Sequence, residues 1–486
     1  MTAATGGEAC WATTPLRRDL AGMIAAAVAA IAPAQLVQDR LSLGPADETL
    51  RCDGQPVRVA GGGRLALKNV GRIVVVGAGK AAAGFAAGLE SLLGTTRLRR
   101  HGLTGLISVP AGCSLPLQRI EVRETRPPAV NLPTPEVVAA TAEMLELLGG
   151  LGPDDLAIVL ITGGGSALLE APPAGVSLEL IVRVTSQLAA AGADIEELNR
   201  VRRAISRVKG GGLATVCTAG RLLALVLSDV IGDDLATIAS GPCLPPAGGD
   251  SLAAVLEHRG IPAADREAIA RAARGGTAAA AATPATEAGR WITSSGCRVG
   301  HLLLGSNATA VTAAASAVKA CGYAVVSATT ATAAESANET GRRLAGLGRD
   351  LLAATRRDGR PRACIEGGEA TVVVPADHGS GGRNQQTVLA AVREILDATG
   401  DWPAGLLVAS FGTDGEDGPT RAAGAFSDRQ VAEIVGRQPA ALSRAIDRCD
   451  ANPLLATAAG LIETGPTGSN VADLRIMLAR NPDDNS

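Results

Sequence analysis

The chain reads as an α/β protein of two domains, with mainly parallel sheets covered by helices. Three observations predict this. At 486 residues the chain exceeds what one ordinary hydrophobic core organises, so two domains are expected. Short continuous apolar runs alternate with Ala-rich stretches of helical length, the pattern of strands buried on both faces. The runs end in clusters of glycine and small polar residues, where strands of an open α/β sheet present their ligand-binding ends.

In chain order, Arg17 and Arg18 precede an apolar run at 23–32, a layout shared with export signals. Asp19 follows the arginines directly and the run is rich in Ala rather than Leu, so it reads as a first amphipathic helix. Residues 72–77 form a strand ending in glycine, and 80–93 form the helix after it. Residues 156–161 repeat the unit and lead into Thr162, Gly163, Gly164, Gly165 and Ser166. A third strand at 222–227 precedes Ser228 and Asp229. Residues 302–304 lead into Gly305, Ser306 and Asn307 and another Ala-rich helix; 406–409 lead into Gly412, Thr413, Asp414 and Gly415. The low-complexity Ala/Gly stretch at 272–287 reads as a surface linker. The domains are therefore placed at 1–285 and 286–486, with the first helix free to pack on the second domain. Residues 481–486 read as a frayed polar tail.

Composition narrows the function. Three Phe, three Trp and one Tyr leave burial to Ala, Val, Leu and Ile. A net charge of −3 and so few aromatic platforms argue against nucleic acid as a partner. No run of 18 apolar residues occurs, so no membrane span is expected. Nine scattered Cys without a C-x-x-C motif read as small buried hydrophobes of a reducing, cytoplasmic compartment. The four His show no H-E-x-x-H spacing, so no His-based metal site is expected.

The chemistry is carried by glycine motifs at strand ends. Gly77, Gly79, Lys80 and Gly84 form the first. Glycines let the backbone turn tightly and approach an anion, and a following helix offers free N–H groups. The Walker A spacing is not met, and a plain strand-to-helix turn is the competing reading. Lys80 sharpens the signal: the chain holds four Lys against 41 Arg, and Lys80 and Lys209 both lie in glycine motifs. A compact ammonium suits a confined phosphate site differently from a planar guanidinium. Gly163, Gly164, Gly165 and Ser166 suit a nest of N–H groups for phosphate, with a loop before a helix as the alternative.

Four Arg between Asn199 and Lys209 precede that lysine and three glycines; a solvated helix face and an anion-binding wall both fit. Asp229 and Asp233 are candidates for Mg²⁺ or, for Asp229, a hydroxyl proton, whereas Asp234 fits a helix cap. Glu369 follows two glycines, and Arg383 and Asn384 follow Gly381 and Gly382, placed to reach a carboxylate or phosphate. Asp414 lies in an acidic glycine loop without EF-hand spacing.

Taken in order, these motifs resemble the class II glycerate 2-kinase family, which pairs an N-terminal kinase domain with a C-terminal MOFRL domain. The resemblance runs from about residue 15 to 478. It rests most on Gly-Gly-Gly-Ser at 163–166, Ser-Asp-Val at 228–230, Gly-Asp at 232–233, Gly-Gly-Arg-Asn-Gln at 381–385, Thr-Asp-Gly at 413–415, Asp-Gly-Pro-Thr at 417–420 and Thr-Gly-Pro-Thr-Gly-Ser-Asn-Val at 464–471.

It implies a Rossmann-like N-terminal domain, an active-site cleft between the domains, and Mg²⁺-dependent transfer from ATP to the 2-hydroxyl of glycerate. Lys80 matches the proposed catalytic lysine and Arg383 the proposed active-site arginine. Asp229 is assigned to catalysis or metal binding, and Asp233 to the metal. Gly163, Gly164, Gly165, Ser166, Ser306, Asn307 and Glu369 are assigned to the nucleotide. Gly79, Lys209, Asn384 and Asp414 are assigned to the acceptor. Partners are then small molecules, with a homodimer left open.

The chain departs from the family pattern in three places. Asn131-Leu132-Pro133 stands for Gly-His-Pro, Ala204 for the His of Arg-Lys-His-Leu-Ser, and Arg421 for an Asp after Pro-Thr. These changes bear on the acceptor. The alternatives are a hydroxypyruvate reductase, a label many members have carried although no convincing nicotinamide fingerprint is present, and a diverged nucleotide-binding member with another acceptor or no turnover.

Overall fold

The computed structural model describes residues 11–127, 130–246, 252–275, 289–331 and 335–481. They divide into two units, Pro33–Leu304 and a second made of Met1–Ala32 with Gly305–Ser486. The boundary at 304/305 corrects the expected 285/286. Strands Trp291–Ile292 and Arg298–Gly305 pair with each other and join the first unit's sheet, which carries that unit past the linker. Residues 276–287 of the expected linker lie outside the described residues, as do 482–486 of the expected tail. The first helix, Pro15–Ala30, belongs to the unit of the C-terminal half. No single described helix is long and apolar enough to cross a membrane.

The unit Pro33–Leu304 is built on a seven-stranded sheet. Its spatial order is Ile120–Arg126, Thr104–Pro110, Ile73–Ala78, Leu156–Ile161, Arg221–Leu227, Arg298–Gly305 and Trp291–Ile292. The first five strands are parallel. Every residue of Ile73–Ala78 and Leu156–Ile161 is buried, as unbroken apolar runs predict.

Helix Pro135–Gly149 shows how one face is covered. The Thr134 hydroxyl accepts from the Val137 N–H at 3.3 Å, and Pro135 occupies the first turn. Val137, Ala140, Met144 and Leu148 follow at helical spacing and are fully buried. They share one core with Val74, Val76, Val159 and Ala224, alternate residues of three strands. Each such large apolar side chain contributes roughly 1.5–3 kcal/mol on burial. The helix expected at 80–93 begins at Ala82 and continues to Arg100, with a break at Gly94, whose φ is 68°.

The other unit holds a six-stranded sheet ordered Ala324–Thr330, Arg362–Gly368, Asp473–Ala479, Leu406–Gly412, Gly424–Ser427 and Leu461–Ile462. Only the first pair is parallel; the others are antiparallel. The α/β class holds, and the parallel pattern describes the first sheet while this one is mixed. The cause is Asp473–Ala479, which runs between two strands of opposite direction. Asp473 pairs with Gly368 on one side and Gly412 on the other. The start of this strand thus lies beside the ends of both neighbours.

Candidate active site

In the unit Pro33–Leu304, three adjoining parallel strands end together, with Ala78 paired to Ile161 and Ile161 to Val226. The loops after them carry Lys80, Gly163 and Asp229. The Lys80 N–H donates to the Gly163 carbonyl at 3.0 Å, and the Ala81 N–H donates to the Thr162 hydroxyl at 3.1 Å. This close approach needs glycine. Gly79 has φ of 130°, and a Cβ there would overlap Thr162. At Gly163 a Cβ would lie 2.6 Å from Asp229 Oδ2. The half-buried Lys80 and Asp229 therefore border the same glycine. Gly164, in the left-handed region with φ of 76°, opens the one-turn helix Gly165–Leu168.

Ser166 lies 3.0 Å from the Ser240 hydroxyl, which itself donates to Asn199 Oδ1 at 2.8 Å. Ser240 has one proton, so Ser166 is the donor to it, and lone pairs are what Ser166 has left to offer a ligand. Ala239 and Ser240 are non-glycine residues with φ of 49° and 61°. They are held there by Gly210 and Gly211, whose N–H groups donate to the Ser240 and Gly241 carbonyls at 3.0 and 2.8 Å.

That arrangement explains the Arg/Lys-glycine motif without a substrate. Lys209 forms a buried ion pair with Glu170, the two side chains being 2% and 1% exposed. Burial pushes the Lys209 ammonium pKa down, and Glu170 opposes it. Lys209, assigned from sequence to the acceptor, has its charge answered inside the protein. Arg203 donates to the Ala236 carbonyl at 2.7 Å. Asp234, expected as a helix cap, instead closes its own turn by accepting from the Ala236 N–H and the Thr237 hydroxyl. Asp233 has φ of 56° in the same loop. Among the described residues no three His, Cys, Asp or Glu group as a metal site, so Asp229 and Asp233 are not part of a protein-built cage.

The unit of the C-terminal half carries a second cluster. Arg383 opens helix Arg383–Thr399. Its Nε and Nη2 donate to the two Asp473 carboxylate oxygens at 2.6 and 2.9 Å, and Nη1 lies 2.8 Å from Glu369 Oε1. Burial works against the Arg383 charge, and Asp473 overrides it, so the pKa is raised. A guanidinium has five N–H donors. Three are engaged here, and the side chain remains 35% exposed.

Asp417 fixes the start of this helix. Its carboxylate accepts from the Asn384 and Gln385 N–H groups at 3.0 and 2.9 Å. Burial pushes the Asp417 carboxyl pKa up, against the pull of those two donors. Asn384 also bonds Asp417 through its amide, while its Oδ1 accepts from Ser410 at 2.5 Å. Asn384, assigned from sequence to the acceptor, is engaged internally and 2% exposed.

Asn307 is likewise internal. Its amide donates to the Val471 and Asp473 carbonyls at 2.8 and 3.0 Å, and its Oδ1 accepts from Thr330. Assigned from sequence to the nucleotide, it positions Asp473 in the structure. Ser306, 5% exposed, caps the following helix with Thr309. Asp414 is half-buried near Glu369 and Asp473. Asp473 was given no role from sequence, although it closes the Thr-Gly-Pro-Thr-Gly-Ser-Asn-Val-Ala motif and opens a buried strand. Thr162 and Asp417 were also passed over as supports.

Comparison with known proteins decides the family. A domain of unknown function, DUF4147, matches residues 19–274, and the MOFRL family matches 362–473. The D-glycerate 2-kinase of Thermotoga maritima is 35% identical over 412 residues, 84% of this chain and 91% of that protein. The chain belongs to the glycerate 2-kinase family. A crystal structure of glycerate kinase from Thermotoga maritima aligns with a TM-score of 0.77 at 32% identity, covering 96% of this chain and 99% of that one. A protein of Agrobacterium vitis named putative hydroxypyruvate reductase is 35% identical over 411 residues, 84% of this chain and all of that protein. For a glycerate 2-kinase family member, Lys80 and Asp229 on one glycine and Arg383 on two acids are the charged groups to explain.

Proposed function

We propose that this chain transfers the γ-phosphoryl group of ATP to the 2-hydroxyl of glycerate, giving ADP and 2-phosphoglycerate. The observation that carries the reading is the meeting of Lys80 and Asp229 on Gly163, at three adjoining strand ends of a glycerate 2-kinase family chain. Phosphoryl transfer asks a protein mainly for positioning and for neutralising charge on the equatorial oxygens. Lys80 supplies a compact positive charge to the transferring group. Asp229 accepts the proton of the attacking hydroxyl as the oxygen–phosphorus bond forms and the bond to the β-phosphate oxygen breaks. Gly163 and Gly164 offer backbone N–H groups to the nucleotide phosphates, and Gly165 shapes the loop by donating its N–H to the Thr162 carbonyl at 3.0 Å. Arg383 offers its two remaining N–H donors to an oxyanion such as the acceptor carboxylate, with Glu369 and Asp414 beside it.

Among the described residues no three-ligand cage occurs; in the alternative role Asp229 is the one carboxylate that would hold Mg²⁺ carried by the nucleotide phosphates, and is then not the base. Bound there, the ion would screen the phosphate charges.

The test is a coupled ADP-release assay over a panel of small hydroxy acids, with phosphorus NMR of the product. Glycerate-dependent ADP and a 2-phosphoglycerate resonance are expected. Oxidation of NADH or NADPH by hydroxypyruvate without any ADP release would replace the kinase reading by the reductase one.

A further inference from the structure

Arg126 closes the edge strand Ile120–Arg126 of the seven-stranded sheet, two strands away from Ile73–Ala78. Its guanidinium nevertheless reaches back over the strand ends: Nη2 lies 3.7 Å from where a Cβ on Gly164 would stand. The residue is only 9% exposed. Nη1 donates to the Val130 carbonyl and, at 2.9 Å, to Asn131 Oδ1. Both acceptors are neutral. Its Nε is buried with no hydrogen-bond partner. Among the described residues no carboxylate pairs with it, whereas Lys209, Arg17 and Arg383 each face at least one. Burial pushes the Arg126 guanidinium pKa down, which marks a charge the fold itself does not compensate.

A buried cation without a counter-charge costs stability unless something answers it. Its place, against the loop that holds Lys80 and Asp229, says what would. We propose that Arg126, held by Asn131, is a binding residue for a substrate oxyanion, either the acceptor carboxylate or a nucleotide phosphate oxygen. Asn131 is one of the positions where the chain departs from the Gly-His-Pro pattern. The departure thus supplies a neutral side chain that orients the arginine and leaves its charge unneutralised. The proposal rests on the kinase reading for the identity of the anion, not for the existence of the site.

The test compares the parent chain with Arg126→Met and Arg126→Lys. Initial rates are taken with glycerate and ATP varied separately, and thermal unfolding is followed in parallel. Loss of a charge-assisted bond in Arg126→Met is expected to raise one Michaelis constant about 10- to 100-fold. A rise confined to glycerate assigns the carboxylate; a rise confined to ATP assigns the phosphate. Arg126→Lys is expected to recover part of the loss. The unfolding midpoint of Arg126→Met should stay level or rise, since an uncompensated charge has gone. Both constants within twofold of the parent, or a lowered midpoint with no selective change in either constant, overturns the proposal. If the parent phosphorylates no hydroxy acid, the kinase reading fails separately. Calorimetric titration with inorganic pyrophosphate then decides Arg126: weaker binding to Arg126→Met supports the site, and equal or absent binding to both overturns it.

Discussion

Asp473 grips Arg383 through two parallel bonds while its own side chain is 1% exposed. That pair explains how an arginine at a helix start is aimed rather than left to sample solvent. Asp473→Asn keeps the shape and removes the charge. It is expected to destabilise the unit by about 2 kcal/mol, since the guanidinium is one-third exposed and Glu369 remains. The Michaelis constant for the acceptor should rise about tenfold. Urea unfolding and initial rates check the two. Arg383 was visible in the sequence because a rare Gly-Gly-Arg-Asn-Gln run marks it. Its pairing with Asp473 was not, because Asp473 follows Arg383 by 90 positions and sits at the head of an apolar strand. For Lys209 the same reason acts in reverse. Its glycine neighbours were visible, and its partner Glu170, 39 positions earlier, was not.

At the scale of elements, helix Arg383–Thr399 depends on Asp417, which caps it from another loop. Gly382 leaves room for that carboxylate, since a Cβ there would collide with it. Asp417→Ala removes the acceptor for two buried N–H groups and should cost about 1–3 kcal/mol. Because the first turn carries Arg383, activity should fall more than stability alone explains, a split that unfolding and rate measurements on one sample reveal. Strands of the first sheet were legible as continuous apolar runs. The direction of Asp473–Ala479 was not, since a fully buried strand shows the same apolar run whichever way it lies.

At the scale of the whole molecule, chain order and unit membership differ. Helix Pro15–Ala30 belongs with residues 305–486. Arg17 bonds the Asp428 carboxylate at 2.7 and 3.0 Å, with both side chains largely buried, and lies 4.9 Å over the Phe426 ring. Arg17→Ala leaves a buried carboxylate unpaired and should cost about 3–5 kcal/mol. Calorimetry should show that loss in the transition of this unit, with the transition of Pro33–Leu304 unmoved. The two-arginine start looked like an address signal or a helix; what anchors it lies more than 400 residues away, beyond any local pattern.

The central assignment is Lys80, the lysine whose backbone is tied to Gly163 beside Asp229. The direct measurement is glycerate-dependent ADP release by Lys80→Ala against the parent chain, at saturating ATP and glycerate. A fall of at least about a hundredfold, on the order of 3 kcal/mol of transition-state stabilisation, with unchanged thermal unfolding is the expected result. Near-parental ADP release by a folded Lys80→Ala would contradict the assignment.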